Sequence, residues 1–205
     1  MPFACGRIHT SSRCTTTFDS VAPAVWLPAL FRTGRKRPEL PLQGTIVQIN
    51  TSLGGLPKRA ISGCLITPLG IEGDGHAHPA IHGGPSKAVL LIASEVVDDL
   101  KAKGYPVFYG ALGENLTTRG IRIRDLRIGD QIRAGGALLE ITQPRGPCSA
   151  LHIYGESIKA EIYDEAVRAG DPTSPLWGMS GFYASVLSPG PVGTDDIITV
   201  VATLA

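Results

Sequence analysis

Between residues 44 and 201 the chain reads as short apolar stretches broken every few positions by glycine, proline, asparagine or aspartate. Residues 44–50 (GTIVQIN) combine β-branched side chains with bounding turn residues, the signature of a strand. The same pattern predicts strands at 59–67, 87–93, 131–133, 137–142, 181–187 and 196–201. Two stretches carry a helical period instead. In the first, Ser94 is placed to cap a helix with Val96, Val97 and Leu100 on one face, stopping after Lys101 and Lys103 at Gly104. In the second, Ser157 precedes a stripe of Ile158, Ile162, Ala166 and Val167, which ends at Gly170-Asp171-Pro172. Many short strands and few helices predict a mostly β, α+β fold: a β-barrel with helical insertions.

The first 40 residues are different. They are rich in Thr, Ser, Pro and Arg and hold no sustained period, so residues 1–41 read as a disordered or misassigned extension, and order is expected from Leu42 onward. An organellar leader shares that composition. The apolar run at 21–31 imitates an export signal, but Pro23 and Pro28 interrupt it and no clear cleavage site follows. One domain, 42–205, is therefore expected behind the extension.

Composition narrows the function. Net charge is +1, yet six basic groups stand against Asp19 and Glu39 in residues 1–43, leaving 13 basic and 16 acidic groups in the remainder. A mildly acidic body argues against a nucleic-acid partner. No apolar run reaches the roughly 20 residues that span a bilayer, so no membrane partner is expected either. Cys5, Cys14, Cys64 and Cys148 are scattered and form no CxxC pair, which points to reduced thiols, a cytoplasmic setting and no disulfide or zinc framework.

Three segments carry candidate chemistry. Residues 138–148 run from a strand into a loop framed by Pro144 and Pro147 that holds Arg145 near Cys148. Proline stiffens such a loop, and a neighbouring guanidinium favours the thiolate that binds soft metals or attacks electrophiles. An inert buried cysteine is the bland alternative. Residues 73–87 contain Asp74, His76, His78 and His82, a zinc-like grouping without a fourth strong ligand at suitable spacing. Gly83 and Gly84 in that segment let backbone amides approach an anion, and Lys87 adds a point charge; a plain tight turn explains the glycines equally. Residues 110–118 place Glu114 and Asn115 after a glycine, where a loop side chain can face a pocket and Asn can both donate and accept. Turn chemistry is again the alternative.

Taken together, these segments resemble the MOSC family, named for the C-terminal domain of molybdenum-cofactor sulfurases, and most nearly its bacterial single-domain type. The matching residues are Gly54-Gly-Leu-Pro-Lys58, Gly73-Asp74, His82-Gly-Gly-Pro-Ser-Lys-Ala-Val89, Gly113-Glu-Asn-Leu-Thr-Thr118, Gly129-Asp130 and Thr142-Gln-Pro-Arg-Gly-Pro-Cys148. The resemblance implies a mononuclear molybdenum–pterin cofactor with Cys148 as the protein's ligand to the metal. It places Asn115 beside the metal as a catalytic residue and Arg145 near the pterin phosphate, with His82, Gly83, Gly84, Lys87 and Thr142 in the same cofactor pocket. It implies an oxidoreductase that reduces small N-hydroxylated substrates by oxygen-atom transfer to molybdenum, with electrons from a separate electron-donor protein. A persulfide sulfur carrier and a non-catalytic cofactor-binding protein are the alternatives. At family level the resemblance also brings a pyridoxal phosphate label, to which no residue is assigned. Substrate, donor and oligomeric state stay open. The chain departs from the family's pattern at Ser86, often Asp, at Ser185, commonly Arg, and at Gly193-Thr-Asp-Asp196, one residue longer than usual.

If residues 1–41 do not pack on the barrel, a chain beginning at Leu42 melts at the same temperature as the full chain. A drop of more than about 5 °C, beyond what roughly 1 kcal/mol produces in a domain of this size, would contradict that.

Overall fold

A computed structural model describes residues 42–75 and 83–203. The extension read at 1–41 and the histidines at 76, 78 and 82 lie outside the described residues. The strands, in chain order, are β1 (Gln43–Thr51), β2 (Arg59–Ile61), β3 (Gly63–Thr67), β4 (Gly70–Ile71), β5 (Val89–Ala93) and β6 (Leu116–Arg119). Then follow β7 (Gln131–Ala134), β8 (Ala137–Pro144), β9 (Phe182–Ser188), β10 (Gly190–Gly193) and β11 (Ile197–Ala202). Three helices are α1 (Ser94–Ala102), α2 (Ile158–Ile162) and α3 (Glu165–Arg168).

The main sheet runs β11-β7-β8-β9-β5-β6-β1, and β1 returns to β11, so seven strands close into a barrel, as the alternation predicts. Closure happens on β1: Thr45 pairs with Arg119 of β6 on one edge and with Ile197 of β11 on the other. Farther along, Ile49–Thr51 leave β11 and take β2 as their partner. The inward row is apolar and fully buried: Ile46, Ile132, Leu139, Ile141, Ala184 and Ile198 all have no exposed surface. Burial of such side chains, about 1.5–3 kcal/mol each, supplies the main drive to close the barrel. A second sheet, β10-β3-β4, is separate. No helix among the described residues is long and apolar enough to cross a membrane.

α1 forms the crossover between the parallel strands β5 and β6 and buries Val96, Val97 and Leu100, the expected stripe. Its start differs from expectation. Ala93 is the capping residue and Ser94 is the first helical position, its hydroxyl donating to Glu95 Oε2 at 3.2 Å and accepting from Arg119 Nε at 3.1 Å. The expected strand at 59–67 is two strands. The Ser62 carbonyl accepts from Thr194 N at 3.1 Å, and the chain passes there from the edge of β1 to β10.

The helix expected from Ser157 to Val167 is also two pieces. Tyr163 is extended, and Asp164 starts α3 by accepting from the Val167 amide at 2.7 Å. An internal Asp competes with the helix and wins as a cap. The Ser157 hydroxyl makes no cap and meets the Tyr105 hydroxyl at 2.7 Å instead. Ile158, Ile162 and Val167 are nevertheless buried together with the core.

Gly44 lies at the closure, pairing with Ile198. A Cβ there would stand 2.3 Å from the Arg119 carbonyl oxygen and 2.5 Å from the Ile121 amide nitrogen, both backbone atoms that cannot rotate away. Gly44→Ala is expected to destabilise the barrel by about 2 kcal/mol or more in urea unfolding, the scale of overpacking. An unchanged midpoint would mean that the β1–β6 seam is loose.

Candidate functional site

Alternation along β9 turns Phe182 and Ala184 inward and Tyr183 outward. Its register partner Leu90 on β5 shares the outward face, and Asn115 sits next to Leu90 at the entrance to β6, its amide donating to the Leu90 carbonyl at 2.9 Å. This outer row forms the floor of a cleft of about 500 Å³, in the size range of small-molecule sites. Its walls are the segment containing Leu56 and Lys58, Gly75, Gly83 and Lys87, Leu112 and Gly113, and the loop from Arg145 to Ala150.

Cys148 lies on that last loop, half-buried and without a disulfide. β8 ends at Pro144, the Arg145 amide donates to the Gly181 carbonyl at 2.9 Å, and Cys148 then caps a short turn at Ser149–Tyr154. The loop is thus tied to the root of β9 three residues before the thiol. Arg145 itself is 4% exposed. Nη2 donates to the Leu112 carbonyl at 2.7 Å, whereas Nη1 is buried with no hydrogen-bond partner among the described residues. Burial lowers its pKa from the ordinary value, against which the Tyr183 phenol, Cys148 and Glu114 all pull upward. An arginine stays cationic nonetheless. Among the described residues, the cleft therefore combines the Cys148 thiol with a buried guanidinium, one of whose donors has no partner.

The opposite wall rests on Asp74. Its carboxylate accepts from the Ser52 amide at 2.9 Å and from Asn115 Nδ2 at 2.8 Å, and it forms an ion pair with Lys58, both side chains being nearly fully buried. Burial draws the Lys58 ammonium below its usual pKa, while Asp74 and Glu114 oppose that shift.

Asn115 has its side-chain oxygen accepting from the Leu90 amide at 3.1 Å and its nitrogen bonded to Asp74. The side chain lines the cleft, but its polar atoms are engaged in holding β5, β6 and Asp74 together. Glu114, read as a possible pocket residue, points the other way. It is fully buried, accepts from the Gly110 amide at 2.6 Å and from Thr117 Oγ1 at 3.1 Å, and burial raises its carboxyl pKa.

Of the residues proposed from sequence, the cleft brings together Cys148, Arg145, Asn115, Gly83 and Lys87. Gly84 is exposed beside it and does not line it. Thr142 is outside the cleft: its hydroxyl donates to the Ser86 carbonyl at 2.6 Å, with the Tyr183 carbonyl 3.1 Å away as the alternative acceptor, binding the 83–87 turn to the barrel. His82 falls outside the described residues, and the zinc grouping with it; among the described residues no cluster of three or more His, Cys, Asp or Glu could hold a metal. Lys58 and Tyr183 were missed as site residues. Both stood in recognisable motifs, the Gly-Gly-Leu-Pro-Lys run and the Gly-Phe-Tyr strand start, but neither carries a local signal of facing a pocket.

The family model for the MOSC domain matches residues 78–199, more than half of the chain. Protein YiiM of Escherichia coli is 32% identical over 149 residues, covering 69% of this chain and 60% of YiiM. The uncharacterized protein YflK of Bacillus subtilis is 34% identical over 142 residues, covering 67% of this chain and 59% of YflK. A protein named "Reductase" from Gibberella moniliformis is 30% identical over 131 residues, 55% of this chain and 23% of that protein. The crystal structure of Escherichia coli YiiM superposes with a TM-score of 0.58 at 25% identity, covering 79% of this chain and 71% of that one. The matched region spans about 60% of the length of the two bacterial relatives. Domain match, bacterial relatives and barrel agree: the chain belongs to the MOSC domain family, which is associated with binding of the molybdenum cofactor.

Proposed function

We propose that the chain binds a molybdenum–pterin cofactor in this cleft, with Cys148 as the protein ligand to the metal, and reduces N-hydroxylated compounds to the corresponding amines or amidines. The observation that carries the reading is the pairing of the Cys148 thiol with the buried Arg145 guanidinium, whose Nη1 has no hydrogen-bond partner among the described residues, in one cleft. A soft sulfur donor fits a thiophilic metal, and a desolvated guanidinium with an unused donor fits an anionic group such as a phosphate. The residues present therefore suit the cofactor on both counts. The relative named "Reductase" supports reduction as the class of reaction.

The net reaction is R–NH–OH + 2e⁻ + 2H⁺ → R–NH₂ + H₂O: the N–O bond breaks, nitrogen is reduced, and oxygen leaves as water. A molybdenum centre held by Cys148 would supply two-electron reduction at the N–O bond, its electrons coming from a separate electron-donor protein. The chain's residues hold and orient. Arg145 anchors the anionic end from the wall formed by its loop, its own position set by the Leu112 carbonyl and the Gly181 contact. Lys87 adds positive charge at the rim, where its ammonium lies 5.8 Å from the Tyr183 ring centre. Asn115 and Lys58, locked through Asp74, keep the far wall fixed, so that little conformational entropy is lost on binding.

Cys64 supplies the internal control. It is on β3 in the other sheet, and burial pushes its thiol up to about 11. In cells able to make the cofactor, Cys148→Ser is expected to fold and to lose molybdenum and N-hydroxyl reduction by more than about tenfold, the least that loss of even a supporting residue costs. Cys64→Ser is expected to keep both. Full metal and turnover in Cys148→Ser would reject the ligand, and a Cys148 persulfide without molybdenum would favour the sulfur carrier. The Cys64 thiol should also alkylate slowly, with about one molecule in a thousand ionised at pH 8 and a rate rising about tenfold per pH unit until the thiol is ionised. Rapid labelling of Cys64 at pH 8, read by peptide mass mapping, would contradict its burial.

A further inference from the structure

A second cleft of about 470 Å³ abuts the first. Lys87, Gly146 and Tyr183 line both, so the two clefts meet at these three residues. Gly146 presents only hydrogen there, and a Cβ would meet the Tyr163 hydroxyl oxygen at 3.7 Å. From this junction the second cleft runs along Tyr163 and Val167 to Arg168. Among the described residues its lining contains two cations, Lys87 at the shared end and Arg168 at the far end, and no carboxylate.

The acids nearby are occupied or weakly coupled. Asp164 turns its oxygens to the Val167 amide and to Ser174 Oγ, at 2.7 and 2.9 Å. Glu165 touches Arg168 Nη1 at 3.2 Å, but both side chains are mostly exposed, and such a pair is worth little and yields readily to a competing anion. Arg168 is also close enough to Tyr163 for its charge to act on the phenol.

Resting on the reading of the first cleft as the reducing site, we propose that the second cleft is a substrate subsite for an anionic tail. The substrate class is then an N-hydroxylated compound carrying a carboxylate or phosphate, with a flat apolar middle lying along Tyr183, Tyr163 and Val167. Its N–OH end reaches the Cys148 side past Gly146, and its anion ends at Arg168. The volume of the second cleft suits the tail, since it is large enough for one fragment of a small molecule. The reaction balances as before, an amidoxime taking up two electrons and two protons to give the amidine and water.

The test uses the full-length, cofactor-loaded protein with two probes of one skeleton, benzamidoxime and its 4-carboxylate. Affinity is read by calorimetry and kcat/KM by turnover, for the parent, Arg168→Met and Arg168→Glu, with molybdenum content and melting temperature measured on each. The parent should prefer the carboxylate by about fivefold, the upper range for one partly exposed ion pair. Arg168→Met should remove the preference and Arg168→Glu invert it, with benzamidoxime unaffected. Equal affinity for both probes in the parent, or a preference that survives in Arg168→Glu, would overturn the subsite whether or not turnover occurs. An Arg168-dependent preference in affinity with neither probe reduced would keep the subsite and reject the reductase reading instead.

Discussion

Asp74 brings a carboxylate behind the wall of the cleft, where only 4% of its side chain meets solvent. An ion so placed is costly unless its oxygens are fully occupied, and the neighbourhood is arranged to occupy them. The Ser52 amide, Lys58 Nζ and Asn115 Nδ2 all converge on it. Each donor comes from a different part of the chain, so satisfying one carboxylate fixes the end of β1, the loop behind it and the entrance to β6 relative to one another. Asn115 extends the tie to β5 through the Leu90 amide. The rigid wall opposite Cys148 follows from the electrostatic requirements of one acid.

The same logic runs deeper into the barrel. Gln48 donates to Asn50, Asn50 to Thr117 Oγ1, and Thr117 to Glu114, with distances of 2.6, 3.1 and 3.1 Å. Glu114 faces two buried cations, Lys58 and Arg145, whose charges it helps to offset. A cation as deep as Arg145 would be hard to hold beside an apolar core without that partner. The column therefore explains how a desolvated guanidinium can be held at the cleft. It also explains why Glu114 is adjacent in sequence to the cleft residues but absent from the cleft.

Legibility in the sequence followed the physics of each element. Strands with one face in the core, such as β8 with Ala137, Leu139 and Ile141 buried in alternation, are readable from period two. β6 was not, because Leu116, Thr117 and Thr118 are all buried and its polar residues serve an internal network, so no alternation survives. The second helix was overextended because Asp164 interrupts an otherwise regular stripe. In the site, Cys148 and Arg145 were legible from a proline-framed loop a few residues long. Lys58 and Tyr183 reach the cleft through tertiary pairing over long sequence separations. Thr142 and Asn115 are polar motif residues whose hydrogen bonds go to backbone and to Asp74, and of the two only Asn115 lines the cleft.

The central claim is that Cys148 anchors molybdenum in this cleft, and X-ray absorption at the molybdenum edge tests it most directly. Spectra would be collected on the parent chain and on whatever metal Cys148→Ser retains, each normalised to pterin content. The account predicts one sulfur neighbour fewer around the metal in Cys148→Ser, replaced by a lighter oxygen or nitrogen scatterer, together with a lower metal content. An identical sulfur count and full molybdenum occupancy in both proteins would contradict it.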